Sequence, residues 1–123
     1  MIDKKQSDIR RAKKESLYYK EISSFFLRIA LDDSNLNGLH LNSVKLSPSK
    51  TVCIALFYCN GGEQEFKEKI PSLILYKPAM RKALSQNISS RYTPELVFKY
   101  DKQFEKQQKI EDLFNKLKLE GQL

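Results

Sequence analysis

The longest uninterrupted apolar run in the chain is Val52-Cys-Ile-Ala-Leu-Phe-Tyr-Cys59, preceded by Lys50-Thr51 and closed by Asn60-Gly61-Gly62. A run of this length, apolar at consecutive rather than alternating positions, suits a central strand covered on at least one face. The chain is therefore expected to fold around a sheet in which this strand has neighbours. One neighbour lies directly upstream. Leu39, Leu41, Val44 and Leu46 mark a strand over 39–47 whose alternation slips at Asn42-Ser43, where a bulge is expected. Ser47-Pro48-Ser49-Lys50 joins the two strands. Pro fixes φ and Ser bonds nearby backbone, so a short turn and an antiparallel hairpin follow.

Helical periodicity surrounds this hairpin. From about Lys4 to Leu31 the sequence has no Gly or Pro. At ~100° per residue, Tyr18, Tyr19, Ile22, Phe25, Phe26, Ile29 and Ala30 share one side, while Arg10, Lys13, Lys14, Lys20 and Arg28 share the other. This predicts a long amphipathic helix whose second half carries the core face and whose first half is mostly polar. Asp32-Asp33-Ser34-Asn35 ends it and Asn37-Gly38 turns the chain. After Gly61-Gly62, Phe66, Ile70, Leu73 and Ile74 recur at helical spacing, with Pro71 either kinking that helix or opening its second piece. Another helix is predicted from about Pro78 to Ser89, with Met80, Ala83, Leu84, Asn87 and Ile88 on one side and a sharp kink at Lys77-Pro78.

Thr93-Pro94 opens a strand over Glu95–Tyr100, in which Leu96, Phe98 and Tyr100 alternate with Val97 and Lys99. The two helices before it supply the long crossover that parallel pairing requires. Ile110, Leu113, Phe114 and Leu117 predict a terminal helix over about 106–119. The order is α–β–β–α–kink–α–β–α, and 123 residues suit one domain over 1–123. Such a chain buries roughly two-thirds of its unfolded surface and needs neither disulfide nor metal to fold.

Several classes of function find no support. No apolar stretch approaches the ~20 residues of a membrane span. The opening Met-Ile-Asp-Lys-Lys-Gln-Ser-Asp has no apolar core of a secretory signal, so a cytoplasmic protein is expected. Cys53 and Cys59, on one strand, stand roughly 20 Å apart. A disulfide needs Cα atoms within ~7 Å, so they read as two half-buried thiols. His40 is the only histidine and reads as a surface residue where the first strand opens. Gly61-Gly62 is followed by Glu-Gln-Glu rather than a phosphate-cradling Gly-Lys-Ser/Thr. Asp32-Asp33 reads as acids ending a helix. No nucleophile–base pair or metal set emerges. A non-enzyme without metal, cofactor or small-molecule substrate is expected.

Charge is the positive signal. The chain carries a net +7: residues 1–20 hold +4, residues 77–109 hold +5, and residues 31–76 hold −1. Such a distribution is the footprint of a polyanion partner, or else a solvated surface with excess Lys. A membrane surface is less suited, because the basic half of the first helix lacks the apolar face an interfacial helix needs.

The element order with base-rich helices resembles a KH-type RNA-binding domain. Arg91-Tyr92-Thr93-Pro94-Glu95-Leu96-Val97-Phe98-Lys99-Tyr100-Asp101 resembles the R-x-x-P-E-L-x-F-x-Y-D signature of the bacterial ribosome-binding factor A family. Pro78-Ala79-Met80-Arg81-Lys82-Ala83-Leu84 is similar to its G-x-(I/L)-R-x-x-L, Val44-Lys45-Leu46-Ser47 to its V-x-(V/L)-S, and Ile110-Glu111-Asp112-Leu113-Phe114 to its terminal I-x-x-L-(L/F). The similarity runs from about Ile9 to Leu117. It departs at Pro78, where the family has Gly, at Tyr76, where it has a small residue, and at Pro48-Ser49-Lys50, where its turn bears an acid. Pro78 removes a backbone donor and positive-φ geometry from the kink.

The resemblance implies an α+β, KH-like fold of type II: a three-stranded mixed sheet with helices on one face, plus a C-terminal helix. It implies an assembly factor that binds the free small (30S) ribosomal subunit, as a monomer. That factor promotes late maturation and end processing of 16S rRNA, notably in the cold, by non-catalytic RNA binding. The alternatives are a KH-like module with another RNA target, or a protein-interaction domain. Leu96, Phe98 and Asp101 of the signature read as core and turn residues. The candidate RNA contacts are Arg10, Arg11, Lys13, Lys14, Lys77, Arg81, Lys82 and Arg91. Phosphate contact is the expected mode, with no aromatic stacking platform in the sequence pattern.

Overall fold

The computed structural model describes residues 4–121. The sheet forms as its patterning requires. Strand β1 (His40–Leu46) pairs antiparallel with β2 (Val52–Tyr58), and β2 pairs parallel with β3 (Glu95–Tyr100), in the order β1-β2-β3. The register of the hairpin shifts between Leu41 and Ser43, at the position where the alternation slips. Asn42, displaced by that bulge, donates from Nδ2 to Asp101 Oδ2 at 2.8 Å.

Helix α1 spans Lys4–Asp32, α2 Gly62–Ile74, α3 Lys77–Asn87 and α4 Lys102–Leu119, with a short 3-10 turn at Ser34–Leu36. The first three cover one face of the sheet. β2 sends Cys53, Ala55 and Phe57 into that layer, followed by Cys59 just beyond the strand, all completely buried. They meet Tyr18, Ile22 and Phe26 of α1, Phe66 and Leu73 of α2, and Met80 and Leu84 of α3. Phe57 is the hub. Its ring centroid lies 5.3 Å from Phe26, 5.7 Å from Phe98 and 6.3 Å from Phe66. At the margin, Glu15 of α1 accepts the Leu46 amide at 2.7 Å, satisfying a donor of β1.

The structure corrects several expectations. Tyr19 lies beyond the α1 core face and is exposed, because an apolar stripe about 100° wide excludes it. The thiols are fully buried rather than half-buried, since both point into the helical layer. Pro71 is accommodated inside α2. The helices part at Leu75-Tyr76, and Pro78 falls in the first turn of α3, where its missing amide hydrogen has no partner to lose.

The terminal helix begins at Lys102 rather than near 106. Asp101 caps it by accepting the Phe104 amide at 3.0 Å, so the turn-forming acid of the signature also starts α4. Phe104 then packs on Tyr58, centroids 4.9 Å apart, and Lys102 pairs with Glu63 at 3.3 Å. Past this first turn Ile110, Leu113 and Phe114 are exposed, so their stripe does not join the core.

A candidate nucleic-acid interface

Three segments distant in sequence meet where α3 ends. Ile88, the C-terminal cap of α3, is extended and buried, which anchors the loop that follows. Ser90 in that loop latches it to α1: its hydroxyl accepts from Lys14 Nζ at 3.1 Å and donates to the Tyr92 carbonyl at 3.0 Å. Burial raises the pKa of the Tyr18 hydroxyl, with Ser90 acting in the opposite direction. From the other side, the Glu95 amide donates to the Thr51 carbonyl at 2.9 Å, which holds the β1–β2 turn beside the same loop. That turn is set by Ser47, whose Oγ accepts the amides of Thr51 and Val52 and whose carbonyl accepts that of Lys50.

The result is an open cavity of about 310 Å³, lined among others by Lys14, Lys50, Thr51, Ser90, Arg91 and Tyr92. The Arg91 guanidinium lies 5.3 Å from the Tyr92 ring centre, and Tyr92 is 72% exposed. A second hollow, about 380 Å³, runs along α3 and is lined by Pro78, Arg81, Lys82, Ser85 and Thr93. Thr93 borders both. Arg81 Nε and Nη2 donate to the carbonyls of Pro94 and Thr93, each at 3.2 Å. Arg81 therefore shapes the loop as well as charging it.

Of the residues singled out in the sequence, Lys14, Arg81, Lys82 and Arg91 are brought together here. Arg10 is exposed four residues before Lys14, one turn away on the same side of α1. Lys13 is exposed, and Arg11 pairs with Asp8 at 3.4 Å. Lys77 stands at the opposite end of α3 with its ammonium 5.3 Å from the Phe98 ring centre. Lys50 and Tyr92 were missed. Lys50 is a single base in a turn with no basic neighbour, and only the parallel pairing of β3 brings it to Arg91.

Among the described residues, no carboxylate pairs with Lys14, Lys50, Arg81, Lys82 or Arg91. A third hollow, about 270 Å³ between α2 and β3, contrasts with this: Lys67 and Lys102 there both face Glu63, at 4.0 and 3.3 Å. At the α2–α3 break, Tyr76 donates its hydroxyl to Asp33 Oδ2 at 2.7 Å. That bond holds the Asp33 carboxyl below its usual range and pushes the Tyr76 phenol up. Burial pushes the Cys53 thiol up to about 12, and also raises Cys59, which donates to the Gly62 carbonyl at 3.2 Å. Neither is a thiolate at neutral pH, so neither serves as a nucleophile. Among the described residues, no cluster of His, Cys, Asp or Glu is placed to hold a metal ion, and no helix is long and apolar enough to cross a membrane.

A three-stranded mixed sheet, a broken helix pair as its crossover and helices on one face define an α+β, KH-like protein of type II. The profile of the family described as Ribosome-binding factor A matches residues 10–114, and the chain belongs to that family. Ribosome-binding factor A of Halothermothrix orenii is 30% identical over 104 residues, covering 85% of this chain and 84% of its own. That of Citrifermentans bemidjiense is 27% identical over 109 residues, covering 89% and 92%. The crystal structure of ribosome-binding factor A from Thermus thermophilus superposes with a TM-score of 0.62 at 21% identity, covering 73% of this chain and 93% of that one.

Proposed function

We propose that this protein is a ribosome assembly factor, a single KH-like domain that binds the free small (30S) ribosomal subunit through 16S rRNA. It supports late maturation and end processing by holding RNA rather than by cutting it. It acts as a cytoplasmic monomer. The observation that carries this reading, beside family membership, is that Lys14, Arg81, Lys82 and Arg91 line two hollows that share Thr93, with none of these bases paired to a carboxylate. Phosphates engage such a surface through counterion release, so affinity falls with salt by ~0.7–0.9 in log–log slope per phosphate neutralised.

The test is co-sedimentation with small subunits. Arg81 holds backbone carbonyls of the loop, so the informative variant is Lys82→Glu with Arg91→Glu. It is expected to melt like the parent and to leave the small-subunit fraction. If it melts normally and still co-sediments, the interface passes to the N-terminal bases Arg10, Arg11 and Lys13. Sequencing the RNA that co-purifies with the protein separates 16S rRNA from any other target.

A further inference from the structure

We propose that the cavity between the β1–β2 turn and the α3–β3 loop holds one unpaired nucleotide of RNA, its base stacked on Tyr92 and its phosphate on Lys14 and Lys50. This rests on the RNA-binding reading and adds a mode of recognition to it. The site lies at the far end of α3 from the helix break, ~16 Å along an 11-residue helix.

Four observations converge. Tyr92 is 72% exposed, so most of a large aromatic side chain faces solvent in a loop that is otherwise tied down by Ser90 and Arg81. Arg91 already lies over one face of the ring, 5.3 Å from its centre, a cation–π contact that steadies the ring and leaves its other face for a base. The cavity, about 310 Å³, is at the small end of ligand sites, which suits a single nucleotide rather than a helix.

Lys50 supplies the fourth. Its φ is 62°, the left-handed region, and it is the one non-glycine residue with positive φ among those described. A side chain there is strained, and glycine or asparagine is the residue such a turn favours. Lys50 lines the same cavity as Lys14. A duplex cannot offer a free base to Tyr92, so the cavity selects single-stranded or bulged RNA.

The test uses three labelled probes: a uridine decamer, a fully abasic oligomer of equal length and charge, and a ten-base-pair RNA duplex. Binding by charge alone treats the first two alike. The parent protein is expected to prefer the uridine decamer over the abasic probe by about 5- to 150-fold, the range of one stacked base. Tyr92→Leu should erase that preference and leave abasic and duplex affinities unchanged. Lys50→Gly should melt no lower than the parent, since it relieves the strained φ. It should also weaken both single-stranded probes and lower the salt slope by ~0.7.

Equal affinity of the parent for the two single-stranded probes overturns the proposal, as does a preference that survives in Tyr92→Leu. If neither probe binds while the protein still co-sediments through Lys82 and Arg91, the nucleotide site is wrong and the assembly-factor reading stands. Preference without co-sedimentation upholds the nucleotide site and removes the assembly-factor reading.

Discussion

At its N-terminal end, α3 joins the body through Tyr76, whose hydroxyl donates to Asp33, and through Lys77, whose ammonium lies beside the Phe98 ring. At its C-terminal end, Arg91, Lys50 and Lys14 converge with no carboxylate to answer them, and Lys82 projects from the middle of the helix toward the same surface. The polar groups of the first end are committed inside the molecule; at the second, Lys14 bonds Ser90 and Arg91 lies on the Tyr92 ring, but no carboxylate neutralises either, so their charge is left for a partner. The difference explains why a residue's charge alone is a weak guide to binding. Lys77, Lys67 and Lys102 carry the same charge as Lys82 and find ring or carboxylate partners within the fold.

The sharpest way to break the comparison is to remove what holds both ends in place. Leu84 is 2% exposed on the buried side of α3. Leu84→Ala should cost ~2–5 kcal/mol of unfolding free energy in denaturant titration, through the cavity it leaves. Next in size is Lys82→Glu with Arg91→Glu. The log–log salt slope for small-subunit RNA should fall by ~1.5, two phosphates' worth, while stability changes by no more than ~0.5 kcal/mol. A slope unchanged from the parent would put the binding surface elsewhere.

Tyr76→Phe probes the committed end. It should lower the melting temperature slightly at neutral pH and leave RNA affinity alone. The pH dependence has a definite sign. Asp33 has its carboxyl held below the usual 3.8, so its contribution is present above that value and is lost as pH falls through the lower folded value. Parent and Tyr76→Phe should therefore converge in acid, and carboxyl NMR should show the Asp33 titration moving up in the variant. The smallest effect is expected for Lys77→Met. Losing an ammonium beside Phe98 should cost under ~1 kcal/mol and leave the salt slope unchanged.

Most of the fold was legible because it depends on period. The slip at Asn42-Ser43 gave the bulge, the consecutive apolar run gave the central strand, and two helices before Glu95–Tyr100 gave its parallel return. Positions at the edge of a stripe were not legible: Tyr19 and Phe25 both border the apolar side of the helical wheel, yet Tyr19 is exposed and Phe25 packs against the core. The stripe of α4 is helical as its spacing requires, but periodicity says nothing about whether a partner surface is in reach. The site was half legible. Lys82 and Arg91 could be found by charge density, whereas Lys50 and Tyr92 acquire meaning only once β3 lies beside β2. Arg81 has a second use that its base type did not signal, since two of its donors reach the carbonyls of Thr93 and Pro94.

The parallel pairing of β2 with β3 also has a kinetic consequence. Val52 pairs with Glu95, so the sheet closes only after both intervening helices and the last strand have been made. Closing so long a loop is entropically slow compared with forming α1 or the β1–β2 hairpin, whose contacts are local. On a chain still being synthesised, β2 keeps one edge unpaired until Tyr100 has emerged. The P-E-L-x-F-x-Y-D segment is then the last piece of the sheet to arrive, and its arrival brings Arg91 and Tyr92 to the hairpin turn. The surface proposed for RNA therefore comes into being with the closing step of folding, and a stalled or truncated chain would lack it.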